Sequence, residues 1–238
     1  MPNVPITIGL IVLAWLGVPS LWRFYGERRL QKACHSRGAV CLTFDDGPGE
    51  EMTQDLLELL GRYQARATFF MLGRRAAEQP ELAQAVHARG HQLASHSYDH
   101  LHAWKYSPWR IWSDVAKGRT VVEGIAGARV AFRPPYGKLT LANWVQTACF
   151  GRDLGWWTHD SGDTHAHLPA KDSILSDLRE SGGGVVLLHD FDQGRDNSRK
   201  EYVLDLTGAI LELAVEQGWK ALSMGDLMNC IEGQEADA

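Results

Sequence analysis

The sequence predicts an α/β fold in which mainly parallel strands are joined by helices. Short apolar runs alternate with longer segments whose apolar residues recur at helical spacing along most of the chain. This alternation predicts helices that cross over between parallel strands. The chain has 238 residues, of which 45% are hydrophobic, and this is enough to bury the core of a single α/β barrel.

Seven apolar runs are the predicted strands. They cover residues 39–44, 67–71, 91–95, 129–132, 150–156, 185–188 and 220–223. Six segments between them show helical spacing, namely residues 53–63, 80–89, 108–122, 139–147, 174–180 and 200–217. Thr53, Ser107 and Ser173 are the predicted N-caps, and Pro108 stands at a first helical position. We expect the segments that follow the strands to meet at one face of the barrel.

Two adjacent carboxylates, Asp45 and Asp46, end the first predicted strand in the segment Thr43-Phe44-Asp45-Asp46-Gly47-Pro48. A carboxylate pair beside an apolar run is costly without a partner, and a metal ion is such a partner. Successive strand residues face opposite ways, so we expect one carboxylate to bind a cation and the other to take up a proton. Taken alone, the segment also fits an Asp-Gly turn.

Two histidines four residues apart, His96 and His100, follow the third predicted strand. One helical turn or a tight loop brings such a pair onto one face, where with a carboxylate they make a metal site. Two imidazoles and one carboxylate leave positions open for water and substrate, as in catalytic zinc sites. Zinc is therefore the predicted metal, with cobalt, nickel or iron as alternatives. The other interpretation is a pair of ordinary histidines in a chain that has ten.

Three later segments also follow predicted strands. Arg133 stands beside a rigid Pro-Pro turn that leads to the backbone amide of Tyr136, and an amide next to a metal stabilises an oxyanion. His189 ends a buried-strand pattern, where a histidine can protonate a leaving amine. Between them, carboxylates in residues 157–163 can orient Arg133 or raise the pKa of His189. Taken alone, each segment also fits a strand end with a polar loop.

In this order, the five segments resemble the motifs of the polysaccharide deacetylase family, whose catalytic unit is the nodulation-factor deacetylase homology domain. The resemblance covers residues 37–230, and the first, second, third and fifth motifs look complete. It implies a distorted, incomplete (β/α) barrel with the seven or so strands predicted above. It also implies a metal-dependent hydrolase that removes an N-acyl group, first of all acetyl, from an amino sugar in a glycan or lipid-linked saccharide.

The resemblance implies a role for each matching position. Asp45 looks like the general base, and Arg133 looks like the residue that orients it. The implied metal ligands are Asp46, His96 and His100.

The remaining roles fall on the later motifs. His189 looks like the general acid, and Tyr136 looks like the source of the oxyanion amide. Asp163 matches the fourth-motif carboxylate, which the family ties to the arginine or to the acid histidine. The implied substrate pocket contains Pro134, Leu187 and Trp157. Thr164 stands where the family usually has tryptophan, so release of formyl or another acyl group is an alternative activity.

The N-terminal segment, residues 1–36, is predicted to be a hydrophobic anchor with a basic flank, ahead of a catalytic domain at 37–230 and an acidic tail at 231–238. Residues 6–22 are uncharged and mostly apolar, close to the ~17 residues that span a bilayer. We expect a single-pass membrane anchor, with a cleaved signal or a helix packed on the barrel as alternatives. The basic residues after the run favour a cytoplasmic catalytic domain and a lipid-linked or soluble sugar precursor as substrate, with export as the alternative.

An aromatic stretch follows the second motif and contains Trp104, Tyr106, Trp109 and Trp112 with basic residues between them. This composition suits a membrane interface or a rim on which sugars stack, and core packing is the alternative.

Composition and motifs argue against several other classes of protein. A net charge of -5 argues against general nucleic-acid binding. The four cysteines have no Cys-x-x-Cys spacing, which argues against a zinc ribbon or a redox pair. A non-catalytic sugar-binding protein is the alternative from another class, but it would be expected to lack a base, a metal ligand or an acid, and the motifs supply all three.

Overall fold

Six parallel strands form one sheet in the computed structural model, which describes residues 4–149, 154–191 and 197–236. They are β1 (Ala39–Asp45), β2 (Ala67–Met71), β3 (Gln92–Ser95), β4 (His159–Asp160), β5 (Gly184–His189) and β6 (Lys220–Ala221). The order across the sheet is β3-β2-β1-β5-β4, and β6 pairs with the start of β1. All of these pairs are parallel, so the predicted α/β class is confirmed.

Helices connect the strands. They are α1 (Val4–Arg37), α2 (Glu50–Arg62), α3 (Gly73–Glu78), α4 (Pro80–Ala88), α5 (Pro108–Ala126), α6 (Leu141–Cys149), α7 (Lys171–Ser181), α8 (Ser198–Gln217) and α9 (Met224–Ala236). The six predicted helices correspond to α2 and to α4 through α8. No prediction covers α3, which has only 6 residues, or α9. A Ser-x-x-Asp capping pattern does precede α9, where the backbone N–H of Asp226 donates to Ser223 Oγ over 3.1 Å.

Of the three predicted N-caps, only Ser107 is confirmed, with Pro108 at the first position of α5. The predictions for Thr53 and Ser173 are wrong because α2 and α7 begin earlier, at Glu50 and Lys171. Thr53 lies inside α2, where its hydroxyl accepts a hydrogen bond from the backbone N–H of Gly49 over 2.9 Å.

Beyond β3 the sheet continues through single-residue bridges and returns towards β5. Ser95 pairs with Phe132, and Phe132 pairs with Leu154. The chain then reaches β5, where the backbone N–H of Thr158 donates to the carbonyl of Val185 over 2.9 Å. The predicted strands at 129–132 and 150–156 are thus reduced to bridges, and residues 150–153 lie outside the described residues. The Pro-Pro turn ends the first of these runs, because proline has no N–H to donate to a neighbouring strand. The predicted number of seven strands is therefore not confirmed among the described residues.

Alternate residues of β1 face two apolar clusters. Leu42 and Phe44 pack with apolar residues of α2 and α8, whereas Cys41 packs with residues of α1 and with Trp156. Both faces of the strand are therefore covered, which explains its continuous apolar sequence. Asp45 lies on the same face as Cys41, because side chains alternate with a period of two along a strand.

The membrane prediction is wrong. Within residues 4–149, 154–191 and 197–236, the helices are too short or too polar to cross a membrane, so a single-pass anchor through residues 1–36 is not supported. Helix α1 instead buries Leu30, Ala33 and Cys34 against the same cluster as Trp156. The cytoplasmic location and the lipid-linked or soluble precursor both depended on the anchor, and they lose their basis with it.

We expect the interior of α8 to carry much of the stability of the domain. Leu206 is fully buried in the cluster that contains Leu42, whereas Val215 on the same helix is 71% exposed. Leu206→Ala should lower the free energy of unfolding by about 2–5 kcal/mol, because it removes buried methyl groups and leaves a cavity. The control, Val215→Ala, should stay within about 0.5 kcal/mol of wild type. Urea unfolding followed by circular dichroism measures both, and equal losses in the two variants would contradict this packing.

Candidate active site

The structure brings the predicted catalytic and metal-binding residues to the carboxyl ends of the strands. Asp45 ends β1 and pairs in register with His189 at the end of β5. His96 follows β3 directly, and Arg133 follows the bridge at Phe132. The parallel strands therefore place residues from distant parts of the chain at one edge of the sheet.

Asp46, His96 and His100 form a compact group in which one potential ligand atom of each residue lies within 4.8 Å of the other two. Asp46 Oδ1 is 3.3 Å from His100 Nε2 and 3.6 Å from His96 Nε2. Burial lowers the pKa of both imidazoles, that of His100 to about 4, so each ring is neutral and has a lone pair to offer. His96 Nδ1 donates to the carbonyl of Arg133 over 2.8 Å, which leaves its Nε2 as the ligand atom.

These residues fit a divalent cation. Asp46 Oδ1 is buried and has no hydrogen-bond partner among the described residues, and burial raises the pKa of this carboxyl. A buried carboxylate oxygen without a partner is unfavourable, and a cation shared with two neutral imidazoles compensates it. Two histidines and one carboxylate are a ligand set that zinc accepts, and other divalent transition metals accept it too.

A buried guanidinium holds Asp45. Arg133 Nη1 donates to Asp45 Oδ1 over 2.7 Å and to Thr43 Oγ1 over 2.9 Å. Arg133 Nε donates to the carbonyl of Gly155 over 2.9 Å, so the guanidinium is fixed from several sides. Burial raises the pKa of Asp45 to about 6, although the charge of Arg133 opposes the shift. A carboxylate with this pKa is ionised at neutral pH and is still basic enough to accept a proton.

His189 and Asp163 pair through two hydrogen bonds. His189 Nδ1 donates to Asp163 Oδ1, and the backbone N–H of His189 donates to Asp163 Oδ2, each over 2.8 Å. Burial alone would lower the pKa of His189, but the hydrogen bond and charge of Asp163 outweigh it and raise this pKa to about 9. Of the two partners that the sequence left open for Asp163, the structure therefore pairs it with His189 rather than with Arg133.

The loop of residues 134–137, called the Tyr136 loop below, lies beside His100 and His102. Tyr136 has φ 57° and ψ 13°, a left-handed conformation that is rare for a bulky residue. Its ring centroid is 4.4 Å from that of His100 and 4.9 Å from that of His102. The backbone N–H of Gly137 closes the turn on the carbonyl of Pro134 over 2.9 Å.

The predicted pocket residues differ in their surroundings. Pro134 and Leu187 are buried, whereas Trp157 is half-buried with its ring centroid 5.4 Å from Arg133 Cζ. The side chain of Thr164 is exposed. Thr164 therefore does not provide a buried apolar wall at the position where the family usually has tryptophan.

Sequence reasoning missed a polar network behind the two aspartates. Thr53 Oγ1 donates to Asp190 Oδ2 over 2.7 Å, and the backbone N–H of Asp190 donates to the carbonyl of Asp45 over 3.1 Å. A Cβ at Gly47 would lie 2.2 Å from both carboxylate oxygens of Asp190, so only glycine fits there. The available signal was an acidic residue next to His189, whereas the sequence placed Thr53 at the start of a helix and gave no sign of its contact with Asp190.

Comparison with known proteins confirms the family resemblance predicted from the motifs. The polysaccharide deacetylase profile matches residues 32–149. A peptidoglycan-N-acetylglucosamine deacetylase of Bacillus cereus is 30% identical over 191 residues, which is 79% of this chain and 87% of that protein. A chitooligosaccharide deacetylase of Bradyrhizobium is 32% identical over 156 residues, which is 64% of this chain and 70% of that protein.

A solved structure agrees with these matches. The family 4 carbohydrate esterase from Streptomyces lividans, determined in complex with acetate, superposes with a TM-score of 0.67 at 30% identity. The superposition covers 77% of this chain and 91% of the Streptomyces chain. The predicted enzyme class, a polysaccharide deacetylase-like hydrolase that acts on non-peptide carbon–nitrogen amide bonds, is therefore confirmed.

We expect kcat/KM to follow a bell-shaped pH profile. Asp45 must be ionised to act as a base, so activity should rise as pH passes its pKa of about 6. His189 must be protonated to act as an acid, so activity should fall as pH passes its pKa of about 9. Asp163→Asn removes the charge that raises the pKa of His189 and should move the alkaline limb to lower pH.

The matched control is Asp160→Asn, because Asp160 is an exposed carboxylate three positions away on the same segment. In this variant, the new side-chain amide oxygen can still accept the hydrogen bond that Asp160 Oδ1 receives from the backbone N–H of Gly162 over 2.9 Å. This variant should keep the wild-type alkaline limb. An alkaline limb that stays in place in Asp163→Asn would argue against His189 as the acid.

Proposed function

This chain belongs to the polysaccharide deacetylase family, and we propose that it is a metal-dependent enzyme that removes acetyl groups from the N-acetylated amino sugars of a glycan. The observation that carries the proposal is the convergence of Asp46, His96 and His100 beside Asp45 and His189. The names of the two curated relatives support the substrate class, since one is a peptidoglycan-N-acetylglucosamine deacetylase and the other a chitooligosaccharide deacetylase.

Asp46, His96 and His100 would hold the ion, with zinc as the first candidate. When bound, such an ion supplies a Lewis acid that polarises an acyl oxygen and lowers the pKa of a bound water. The orphaned Oδ1 of Asp46 and the two neutral imidazoles support this assignment.

The side chains of this protein supply the proton transfers. Asp45, held by Arg133, accepts a proton from the water that attacks the acyl carbon. The backbone N–H of Tyr136 donates to the oxyanion that develops on the acyl oxygen. His189, with Asp163 on its Nδ1, gives a proton from Nε2 to the sugar nitrogen. The carbon–nitrogen bond breaks, and the products are acetate and a free amine on the sugar.

The direct test is release of amine from N-acetylglucosamine oligomers by the metal-loaded protein. We expect turnover that stops when a chelator removes the metal and returns when zinc is added. Asp45→Asn should retain the metal but lose about 10²–10⁴-fold in kcat, because it lacks the base. Asp46→Asn should instead lose metal affinity, because a ligand is removed.

The alternatives give different results in the same assay. Faster release of formyl than of acetyl from matched N-acyl glucosamines would favour a deformylase, which the exposed Thr164 leaves open. Binding of the oligomers without any release of amine by the metal-loaded protein would contradict the enzyme and favour a sugar-binding module.

A row of rings supports a substrate longer than one sugar. It starts at His100, passes Tyr136 and His102, and ends at Trp104, with centroid distances of 4.4, 4.9 and 6.1 Å between neighbours. Trp104 is 51% exposed, and Lys138 Nζ lies 4.6 Å from its ring centroid. An exposed aromatic face beside polar groups suits a sugar ring, which has an apolar face and a polar edge. The row thus leads from the candidate metal ligands to a place for a neighbouring sugar.

We expect Trp104→Ala to raise KM about three- to tenfold for oligomers, because it removes a stacking surface. KM for the N-acetylglucosamine monomer should change little, since the monomer does not reach Trp104. The control is Trp109→Ala, because Trp109 is 83% exposed and has no ring contact with the row in the part of the chain that the structure describes. Equal effects of Trp104→Ala on monomer and oligomers, or of both variants on oligomers, would contradict this subsite.

A further inference from the structure

Helix α1 carries an arginine that reaches the Tyr136 loop. Arg23 Nη1 donates to the carbonyl of Gly137 over 3.3 Å. Arg23 Nε donates to Glu27 Oε1 over 2.7 Å, one turn further along the helix, and this ion pair fixes the direction of the guanidinium. Arg23 lies before residues 32–149, to which the family profile matches, so Arg23 itself is outside the matched region although Gly137 is inside it.

We propose that Arg23 is a positioning residue for deacetylation, which holds the Tyr136 loop so that the backbone amide of Tyr136 faces the reacting acyl group. The inference rests on the function proposed above, because it assigns that amide to the oxyanion. Arg23 itself touches neither the candidate metal ligands nor Asp45 in the contacts described here, and it acts through the loop.

The loop needs an external restraint because its backbone is strained. Tyr136 and Gly137 are both left-handed, with φ 57° and φ 62°. A bulky residue keeps such a conformation only where its surroundings determine it. The loop is also tightly enclosed, since a Cβ at Gly137 would lie 2.7 Å from both Arg23 Nη1 and Trp157 Cη2. Arg23 and Trp157 therefore form the wall against which this turn is set.

The guanidinium of Arg23 is also linked to Asp45, the proposed base, through Trp157 and Arg133. The ring centroid of Trp157 lies 4.6 Å from Arg23 Cζ and 5.4 Å from Arg133 Cζ. Arg133 in turn binds Asp45, and its Nη2 donates to the carbonyl of Trp156 over 3.3 Å. Trp157 is thus packed between the arginine that holds the loop and the arginine that holds the base.

The test compares Arg23→Met with Arg28→Met. Methionine keeps most of the aliphatic stem and removes the guanidinium, and Arg28 lies on the same helix with its Cζ 4.2 Å from the ring centroid of Phe24. Arg23→Met should lower kcat on N-acetylglucosamine oligomers about tenfold with little change in KM, because a displaced amide affects the transition state more than binding. Arg28→Met should keep the wild-type kcat. Arg23→Lys should recover part of the loss, since an ammonium can still donate to the carbonyl of Gly137.

A second measurement does not depend on activity. Backbone amide hydrogen exchange, followed by mass spectrometry, should be faster at Gly137 and Lys138, whose N–H groups donate to the carbonyls of Pro134 and Pro135, in Arg23→Met and unchanged there in Arg28→Met. Glu27→Gln keeps a hydrogen-bond acceptor for Arg23 but removes the negative charge of its partner. This variant should show a smaller increase in exchange at Gly137 and Lys138, and it serves as the test if Arg23→Met folds poorly. Wild-type exchange in this loop together with wild-type kcat in Arg23→Met would overturn the inference while leaving the proposed function intact. A wild-type protein that releases no amine would overturn the proposed function, whatever the exchange result.

Discussion

The ion pair between Arg133 and Asp45 is the interaction on which the geometry of the site depends. Both side chains are buried, and the backbone of Arg133 also binds two consecutive residues at the end of β3: its N–H donates to the carbonyl of Ser95, and its carbonyl accepts from His96 Nδ1. One residue therefore sets the position of the proposed base, Asp45, and the orientation of a candidate metal ligand, His96. Buried ion pairs contribute little net stability, yet loss of one partner costs about 3–5 kcal/mol. This pair is better explained by the placement of Asp45 than by the stability of the barrel.

Strain in the backbone is concentrated around the same site. Asp46, Ser97, His100 and Tyr136 are non-glycine residues with φ between 57° and 71°. Left-handed residues of this kind are unfavourable by about 1–3 kcal/mol each and persist where neighbouring structure fixes them. Asp46 and His100 are two of the three candidate metal ligands, and the ring centroid of Tyr136 lies 4.4 Å from that of His100. The buried network around Asp190 and the packing of α1 supply the rigid surroundings that such turns require.

The convergence of Asp45, His96 and His189 could be predicted from sequence because each ends or directly follows a short apolar run, and parallel strands bring their carboxyl ends together. The prediction that failed was the membrane anchor at residues 6–22. The length of the uncharged run suggested a bilayer span, but no helix among the described residues is both long and apolar enough to cross a membrane. Further along the same helix, Leu30 is buried in the core, a tertiary contact that no local pattern predicts. Strand β4 was missed because His159 and Asp160 carry no apolar pattern. The contact of Arg23 with Gly137 joins residues that no local sequence pattern relates.

The proposed binding of one divalent ion by Asp46, His96 and His100 is tested most directly by X-ray absorption at the zinc edge. The measurement is made on the purified protein loaded with one equivalent of zinc. We expect scattering from two imidazole rings and from oxygen ligands, with nitrogen and oxygen at about 2.0–2.2 Å and without sulfur. A spectrum without imidazole scattering, or with sulfur in the coordination shell, would contradict the claim.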